Sequence, residues 1–325
     1  MIPVFTLPHK GKYENSKKER LWGFIDETGI MVIEPKFSAA CYFSSDLAYA
    51  RGLGGEVGFI NKQGDWAIEP QYFDSLGFWS GLASTARLNP RQNAIQWGVI
   101  RSDGTVAIDF VFDFVGPFMN GLARAQVEGK WGYINIHGEW VISPHYDWAG
   151  DFVDGIARVQ QVTADLATSY IVLKQDVQSV TAHFVTKNFC GGEDFSEGLA
   201  AVKEGDLWGY IGTNGQWSLS PRFLEAGEYS EGRMPVLTNE GWKLCDSEGQ
   251  FHSRPYEQLE PMACGLSRFS RDEKWGFIDR NGTEVVNHRF DEMSDFCEGH
   301  AIGIYNRQFI VINKKGETLW TEGAF

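Results

Sequence analysis

The chain of 325 residues carries 29 lysine and arginine residues against 43 aspartate and glutamate residues, a formal net charge of −14. Such a surface repels phosphate backbones and argues against a nucleic-acid partner. The N-terminal residues contain no apolar run long enough for a signal peptide or a membrane span. Five widely spaced cysteines without metal-ligand spacing are typical of reduced thiols, so we predict a cytoplasmic protein with no membrane partner.

The first predicted element lies in an N-terminal segment, residues 1–20, where "PVFTL" at 3–7 can supply one strand. From residue 21 to 325 one pattern recurs as a single array of about eight units plus a partial last one. Successive units start 33 to 40 residues apart. The starts are Trp22, Val57, Trp97, Trp131, Trp208, Trp242 and Trp275, with a degenerate copy near Tyr170 and the partial one at Phe309.

Each unit opens with a strand and a tight turn. Along "WGFID" the side chains alternate, so Trp22 and Phe24 share one face of the strand. Gly23 removes a side chain where we expect a neighbouring unit to approach closely. A glycine seven residues after the start predicts a type I turn closed by a left-handed residue with a bulge. It recurs as Gly29, Gly64, Gly104, Gly138, Gly215, Gly249, Gly282 and Gly316.

A second strand follows the turn, and a proline thirteen residues after the start ends that strand or marks an edge. This proline recurs as Pro35, Pro70, Pro144, Pro221 and Pro255, while Phe110 and His288 replace it in two units. An aromatic residue follows two positions later. A loop then leads to the pattern F-x-x-G-L-A, as in residues 118–123, which opens a third alternating strand.

These elements predict an all-β fold of tandem three-stranded β-meanders, each of about 34 residues. One meander cannot cover both of its apolar faces, so the units must stack. Unequal spacing favours an open superhelical or solenoid array, and a closed β-propeller-like ring is the alternative. The connections at 87–96 and 160–169 are longer than their counterparts and are predicted to be loop insertions on one edge.

The motif W-G-[FY]-I-[DN]-x-x-G-x-x-V-I-x-P-x-[FY]-D, followed by F-x-x-G-L-A-x-V, resembles the bacterial WG-repeat (KWG-repeat) proteins. The resemblance covers roughly residues 21–325. It implies a β-rich repeat protein that binds or organises other molecules and is not an enzyme. The hairpin is also similar, though less closely, to the choline-binding cell-wall repeats, whose units are shorter and secreted.

Six residues are candidates for surface contacts. Trp66, Trp140 and Trp217 each lie nine residues after a unit start and can form a platform for sugars or partner side chains, or cap the core beside the turn. Arg124, Arg158 and Arg268 share one position of the third strand and are expected to form an outward stripe. Acidic residues before turn glycines, as in "SEG", are expected to accept backbone N–H bonds.

No catalytic, cofactor or metal motif appears: HExxH, GxGxxG, GxxxxGK[ST] and GxSxG patterns are all missing from the sequence. We therefore predict a non-enzymatic scaffold that binds another protein in the bacterial cytoplasm, without a cofactor. Specificity is expected in the loops at 87–96 and 160–169, where the copies differ. Binding of carbohydrate or cell envelope through the repeat tryptophans is the alternative, a small-molecule ligand stays open, and an enzyme with an unrecognised site ranks third.

Overall fold

The computed structural model describes residues 1–6, 21–44, 46–153, 155–162, 168–176, 179–183, 189 and 191–322. These residues form antiparallel β-strands joined by turns, and none of them belongs to a helix that could cross a membrane. The chain divides into two compact halves, Met1–Asp151 and Phe152–Ala324. The all-β tandem-repeat architecture predicted from the sequence is confirmed. The single continuous array and the choice between an open array and a ring stay predictions.

The described part of the N-terminal half contains four antiparallel sheets in chain order, followed by a short strand. Sheet 1 is β1 (Ile2–Thr6), β2 (Leu21–Ile25) and β3 (Met31–Phe37); sheet 2 is β4 (Ala39–Ala40), β5 (Ala48–Arg51), β6 (Val57–Ile60) and β7 (Trp66–Tyr72). Sheet 3 is β8 (Asp74–Trp79), β9 (Leu82–Asn89), β10 (Ala94–Arg101) and β11 (Val106–Phe112); sheet 4 is β12 (Phe114–Val115), β13 (Leu122–Val127), β14 (Lys130–Asn135) and β15 (Trp140–Tyr146), and β16 (Trp148–Ala149) follows.

The C-terminal half continues the same order of strands. Sheet 5 contains β17 (Ile156–Val162), β18 (Thr168–Asp176) and β19 (Ser179–His183); sheet 6 is β20 (Gly191–Gly192), β21 (Leu199–Glu204), β22 (Leu207–Gly212) and β23 (Trp217–Phe223). Sheet 7 is β24 (Glu225–Ala226), β25 (Met234–Thr238) and β26 (Gly241–Cys245); sheet 8 is β27 (Gln258–Ala263), β28 (Leu266–Arg271), β29 (Lys274–Asp279) and β30 (Glu284–Phe290). Sheet 9 is β31 (Glu292–Met293), β32 (His300–Tyr305), β33 (Gln308–Asn313) and β34 (Thr318–Thr321).

A complete sheet has four strands, one more than the predicted meander. The extra strand has two residues in most sheets and six in sheets 3 and 8. It follows closely on the aromatic residue of the second strand, in a stretch predicted to be loop. Phe114 and Val115, for example, pair with Gln126 and Ala125. Each sequence repeat therefore gives its first two strands to one sheet and its last two strands to the next sheet.

The turn between the first two strands has the predicted geometry. Gly138 has a φ of 81°, and its N–H donates to the carbonyl of Asn135 at 2.9 Å. The side chain of Asn135 also accepts the N–H groups of His137 and Glu139 at 2.9 and 3.0 Å. This second contact explains the aspartate or asparagine four residues after most of the starts, because its oxygen holds the turn closed.

The glycine after the start tryptophan has a different role from the expected one. A Cβ atom on Gly209 would lie 2.5 Å from the carbonyl oxygen of Leu219 and 2.8 Å from the nitrogen of Pro221. Both atoms belong to β23, the next strand of the same sheet, and not to a neighbouring unit. Between Trp208 and Tyr210 the register shifts at a bulge in β23, which brings the two backbones together.

The repeat proline lies in that bulge, where its missing N–H costs no ladder hydrogen bond. β23 continues past Pro221 to Phe223 and pairs with a single neighbour in its sheet. The proline thus marks an edge strand and does not end the strand.

The core lies between consecutive sheets within each half. In the N-terminal half, Trp97 and Phe112 of sheet 3 pack on Val115 and Ile134 of sheet 4. In the C-terminal half, sheets 6 and 7 form a second such layer around Tyr210. Each large buried side chain contributes about 1.5–3 kcal/mol to the free energy of unfolding. Because the first strand of a repeat has such side chains on both faces, packing on both faces stabilises it.

Candidate functional site

Two consecutive hairpins of the N-terminal half are longer than the regular repeat hairpin. In sheet 4 a two-residue turn, 128–129, joins β13 to β14, and Val127 pairs directly with Lys130. The connection between β5 and β6 instead spans 52–56. It is a turn, with the N–H of Gly52 bonded to the carbonyl of Glu56 at 2.9 Å.

The second long hairpin, at 87–96, was predicted to be a loop insertion but is largely strand. β9 and β10 extend two residue pairs beyond the regular position, and Leu88 pairs with Ile95. Their side chains are 56% and 39% exposed. A hydrogen bond of 2.7 Å from the Asn89 amide to Gln96 braces the tip. The insertion therefore presents an aliphatic pair on an ordered arm.

Arg87 holds the base of this arm against sheet 2. Its guanidinium lies 4.4 Å from the ring centre of Phe110 and 4.9 Å from that of Tyr72. It also donates to the Tyr72 hydroxyl at 3.3 Å. Phe110 is the residue that replaces the repeat proline, so this departure from the pattern provides a cation–π partner for the arm.

A cleft of about 520 Å³ opens beside the first long hairpin. Loop 52–56 forms one wall, and the other wall comes from the ends of strands β3 and β7. Its lining contains two aromatic rings, two carboxylates and one amine: Phe37, Trp66, Glu56, Asp65 and Lys36, together with Leu53, Pro70 and glycines 52, 54 and 64. Its volume lies within the range of small-molecule sites.

The two rings of the cleft pack edge to face, with centres 5.3 Å apart and planes at 78°. The Lys36 amine lies 5.3 Å from the ring centre of Phe37. Glu56 and Asp65 are exposed at the opening. The cleft can thus stack an apolar or sugar face on Trp66 while carboxylates bond to donors at its margin.

The three candidate tryptophans are all partly buried against the core. Trp140 packs edge to face on Phe112 at 5.8 Å, and Trp217 on Phe189 at 5.6 Å, as Trp66 does on Phe37. In each contact the tryptophan is the residue that opens the last strand of its sheet. Of the three, Trp66 also lines the described cleft, which makes it the strongest candidate for an external contact.

The expected outward stripe of Arg124, Arg158 and Arg268 is not present. Their side chains are 23%, 16% and 20% exposed, and each guanidinium pairs with an aspartate of the following sequence repeat. Those partners are Asp151 at 3.1 Å, Asp194 at 2.9 Å and Asp295 at 3.2 Å. The arginines do not point outward because each guanidinium bonds a backbone carbonyl in addition to the carboxylate. An arginine exposed to solvent would make neither of these bonds.

Two of the acidic residues before turn glycines, Glu197 and Glu231, accept backbone bonds, as predicted. Glu197 accepts the N–H groups of Glu231 and Gly232 at 2.8 and 3.1 Å, in the equivalent turn of the next sheet. Glu231 in turn accepts the N–H of Gly265 at 2.7 Å. These carboxylates join successive sheets of the C-terminal half, which assigns them a structural role.

Parts of other predicted features lie outside the described residues. They are residues 7–20 of the N-terminal segment, residues 163–167 of the connection at 160–169, and Cys190. Among the residues that are described, no three histidine, cysteine or acidic side chains converge to hold a metal ion.

The repeated sheets, with two long hairpins in the N-terminal half, define the class of the protein. It is an all-β tandem-repeat protein in which the hairpins differ in length between repeats. A family model for WG-containing repeats matches residues 22–55, 58–83, 97–131, 131–161, 192–208, 208–242 and 275–302, more than half of the chain. The chain therefore belongs to the WG-repeat family, which confirms the resemblance drawn from the motif.

Comparison with solved structures shows similarity of the fold and of nothing else. A crystal structure described as that of the eukaryotic initiation factor aligns with a TM-score of 0.64 at 10% identity, covering 98% of this chain and 95% of that chain. Citrobacter koseri AztD aligns at 0.43 with 10% identity over 87% and 85% of the two chains. The β-propeller domain of the Trilobed protease from Pyrococcus furiosus aligns at 0.42 with 10% identity over 87% and 94%. No curated protein sequence matches this chain.

Proposed function

We propose that this chain is a non-enzymatic scaffold of the bacterial cytoplasm that binds another protein through the long-hairpin edge, defined as residues 52–56 and 87–96 with the cleft at Trp66. The observation that carries the proposal is the position of the two departures from the repeat. They are consecutive, they lie on one edge of sheets 2 and 3, and both project apolar side chains. Leu53 is 65% exposed, and Leu88 and Ile95 are 56% and 39% exposed.

The edge has the composition of a protein interface. The aliphatic side chains of Leu53, Leu88 and Ile95 are exposed on it. The aromatic ring of Trp66 lies on β7, and charged groups such as Glu56 and Asp65 share its cleft. The arm is held by Arg87 and by the Asn89 amide, so little conformational entropy is lost when a partner orders against it. The formal charge of −14 favours a protein partner over a nucleic acid.

Site-specific photocross-linking in the source cell tests this surface. We expect a benzophenone amino acid at Leu88 or at Leu53 to give the same adduct with one partner protein. The matched control places it at Glu128, on the regular hairpin of the next sheet, where no such adduct should form. Leu88→Asp, which changes an exposed side chain, should abolish the adduct formed from position 53. Identical adducts from all three positions, or none at 53 and 88, would contradict the proposal.

The cleft favours a second candidate function, carbohydrate binding centred on Trp66. Aromatic rings bordered by carboxylates suit a sugar, whose C–H face stacks on the ring while its hydroxyls donate to oxygen. On a glycan array, Trp66→Ala should reduce binding at least about tenfold, equivalent to about 1.4 kcal/mol. Trp79→Ala is the control, since Trp79 is 50% exposed and does not line the cleft. Equal loss in both variants, or no binding by the wild type, would remove this candidate.

A further inference from the structure

The carboxylate contacts between successive turns of the C-terminal half are interrupted at one cysteine. The turns at 197–198 and 231–232 each place a glutamate before a glycine, and both glutamates reach the backbone of the next turn. At the following turn Cys264 occupies the glutamate position before Gly265. Its φ of 55° matches the 48° and 52° of Glu197 and Glu231. The Cα–Cβ bond of Cys264 therefore leaves the turn in the same direction as those of the two glutamates.

That next turn carries a second cysteine. Cys297 begins it, with its N–H bonded to the carbonyl of His300 at 2.8 Å, and Glu298 and Gly299 have the left-handed φ values of 49° and 86°. Glu197 accepts the N–H of Glu231, the residue equivalent to Glu298, and Glu231 accepts the N–H of Gly265, the residue equivalent to Gly299. The nitrogen of Glu298 is bonded to the carbonyl carbon of Cys297, so this equivalence places Cys264 near Cys297 in the successive turns of sheets 8 and 9.

Packing places Cys264 in the same interface. It contacts the apolar cluster that sheet 8 shares with sheet 9, which includes Phe290, Met293 and Phe296, the residue next to Cys297. Cys264 is partly buried and Cys297 is exposed, so a small oxidant can reach the pair from Cys297. Cys245, by contrast, is fully buried.

We propose that Cys264 and Cys297 form a reversible disulfide that joins the last two sheets, making this pair a redox-modification site of the protein. A low-molecular-weight disulfide such as oxidised glutathione is the oxidant. The Cys297 thiolate attacks one glutathione sulfur, an S–S bond forms, and one glutathione thiolate leaves. The Cys264 thiolate then attacks the Cys297 sulfur and releases the second glutathione. The two protein thiols lose two protons and two electrons, and one oxidised glutathione becomes two reduced ones.

The protonation state of Cys297 sets the rate of this exchange. Burial raises the pKa of the Cys297 thiol, and the negative charges of Glu298 and of a Cys264 thiolate raise it further. The influence of Cys264 on this pKa agrees with two neighbouring sulfurs. Since the thiolate is the nucleophile, the exchange should be slow at neutral pH and quicken as the pH rises.

The test is disulfide mapping of the full-length purified protein after incubation with oxidised glutathione, under non-reducing conditions. We expect one cross-linked peptide containing Cys264 and Cys297, reversed by dithiothreitol. It should persist in Cys41→Ser and Cys190→Ser and disappear in Cys264→Ser, which should carry glutathione on Cys297 instead. Oxidation should also raise the melting temperature of the wild type and leave that of Cys264→Ser unchanged, because a cross-link restricts the unfolded chain. Glutathione on both cysteines without a cross-link, or a cross-link to another cysteine, would overturn the proposal.

Discussion

Replacing Gly209 by alanine is expected to lower the free energy of unfolding by about 4 kcal/mol, near the upper end of single-substitution effects. The new Cβ would lie 2.5 Å from the carbonyl oxygen of Leu219 and 2.8 Å from the nitrogen of Pro221. Both are backbone atoms and cannot rotate away, so β23 must separate from β22 over the whole bulge. That separation breaks ladder hydrogen bonds and opens the core below them.

The matched control is Gly212→Ala at the end of the same strand. There the nearest atom to an added Cβ is the Asn214 side-chain oxygen at 3.4 Å, which can shift at little cost. Alanine also reduces the entropy of the unfolded chain, so this variant should be within about 1 kcal/mol of the wild type. Denaturant unfolding followed by circular dichroism measures both. Similar midpoints for the two variants would show that the glycine after tryptophan is not required by backbone contact.

Gly209 also shows which part of a backbone contact the sequence predicts and which part it does not. A glycine in a strand indicates close approach of a backbone, and that part of the interpretation was correct. Which backbone approaches depends on the register of the following strand. The shift between Trp208 and Tyr210 arises from the bulge around Pro221, and a bulge of this kind has no signature beyond the proline itself. The glycine was therefore assigned to the wrong neighbour.

The turns and strands were predictable because their causes are local. Asn135 and Gly138 lie in one turn, and their contacts span four residues or fewer. Where the first strand of a sheet has only two residues, as at Phe114 and Val115, it was missed because so short a stretch gives no measurable periodicity. Its pairing is set by the sheet that receives it.

The arginine pairs were missed because the partners lie 25 residues or more along the chain, yet the sequence holds a signal for them. Each arginine-bearing repeat is followed by an aspartate directly before the phenylalanine of F-x-x-G-L-A, as in Asp151–Phe152. Where Ser84 replaces the arginine, Pro117 replaces the aspartate, and the serine hydroxyl donates to the Gly116 carbonyl at 2.7 Å. Comparing repeats within one chain for such paired changes would have found these contacts.

The candidate site was only partly predictable. The connection at 87–96 was singled out by its length, and the structure places it on the proposed edge. The cleft at Trp66 could not be derived from the sequence, because it forms where loop 52–56 of sheet 2 lies opposite β3 of sheet 1. No local sequence pattern indicates such packing between sheets. Glycine-rich loops without a motif carry no ligand signal of their own.

Replacing Gly138 by valine is the second large expected effect, a loss of about 3 kcal/mol in the free energy of unfolding. A β-branched residue at a φ of 81° stores about 1–3 kcal/mol of backbone strain. Its Cβ would also lie 2.8 Å from the Cγ2 atom of Ile108 on the preceding sheet, which adds an overpacking cost of similar size. The strain and the contact act together because the turn rests directly on the core between sheets 3 and 4.

Gly191→Val is the control, because its Cβ would meet only ordinary contacts, Lys203 at 3.6 Å and Trp208 at 3.7 Å, and its φ is not left-handed. We expect a loss of at most about 1 kcal/mol there. Gly138→Asn separates the two causes, since asparagine tolerates left-handed φ but keeps the contact with Ile108. Calorimetric melting temperatures should fall in the order Gly191→Val, Gly138→Asn, Gly138→Val from highest to lowest. If Gly138→Asn melted together with Gly138→Val, the contact with Ile108 and not the backbone angle would account for the requirement for glycine at this turn.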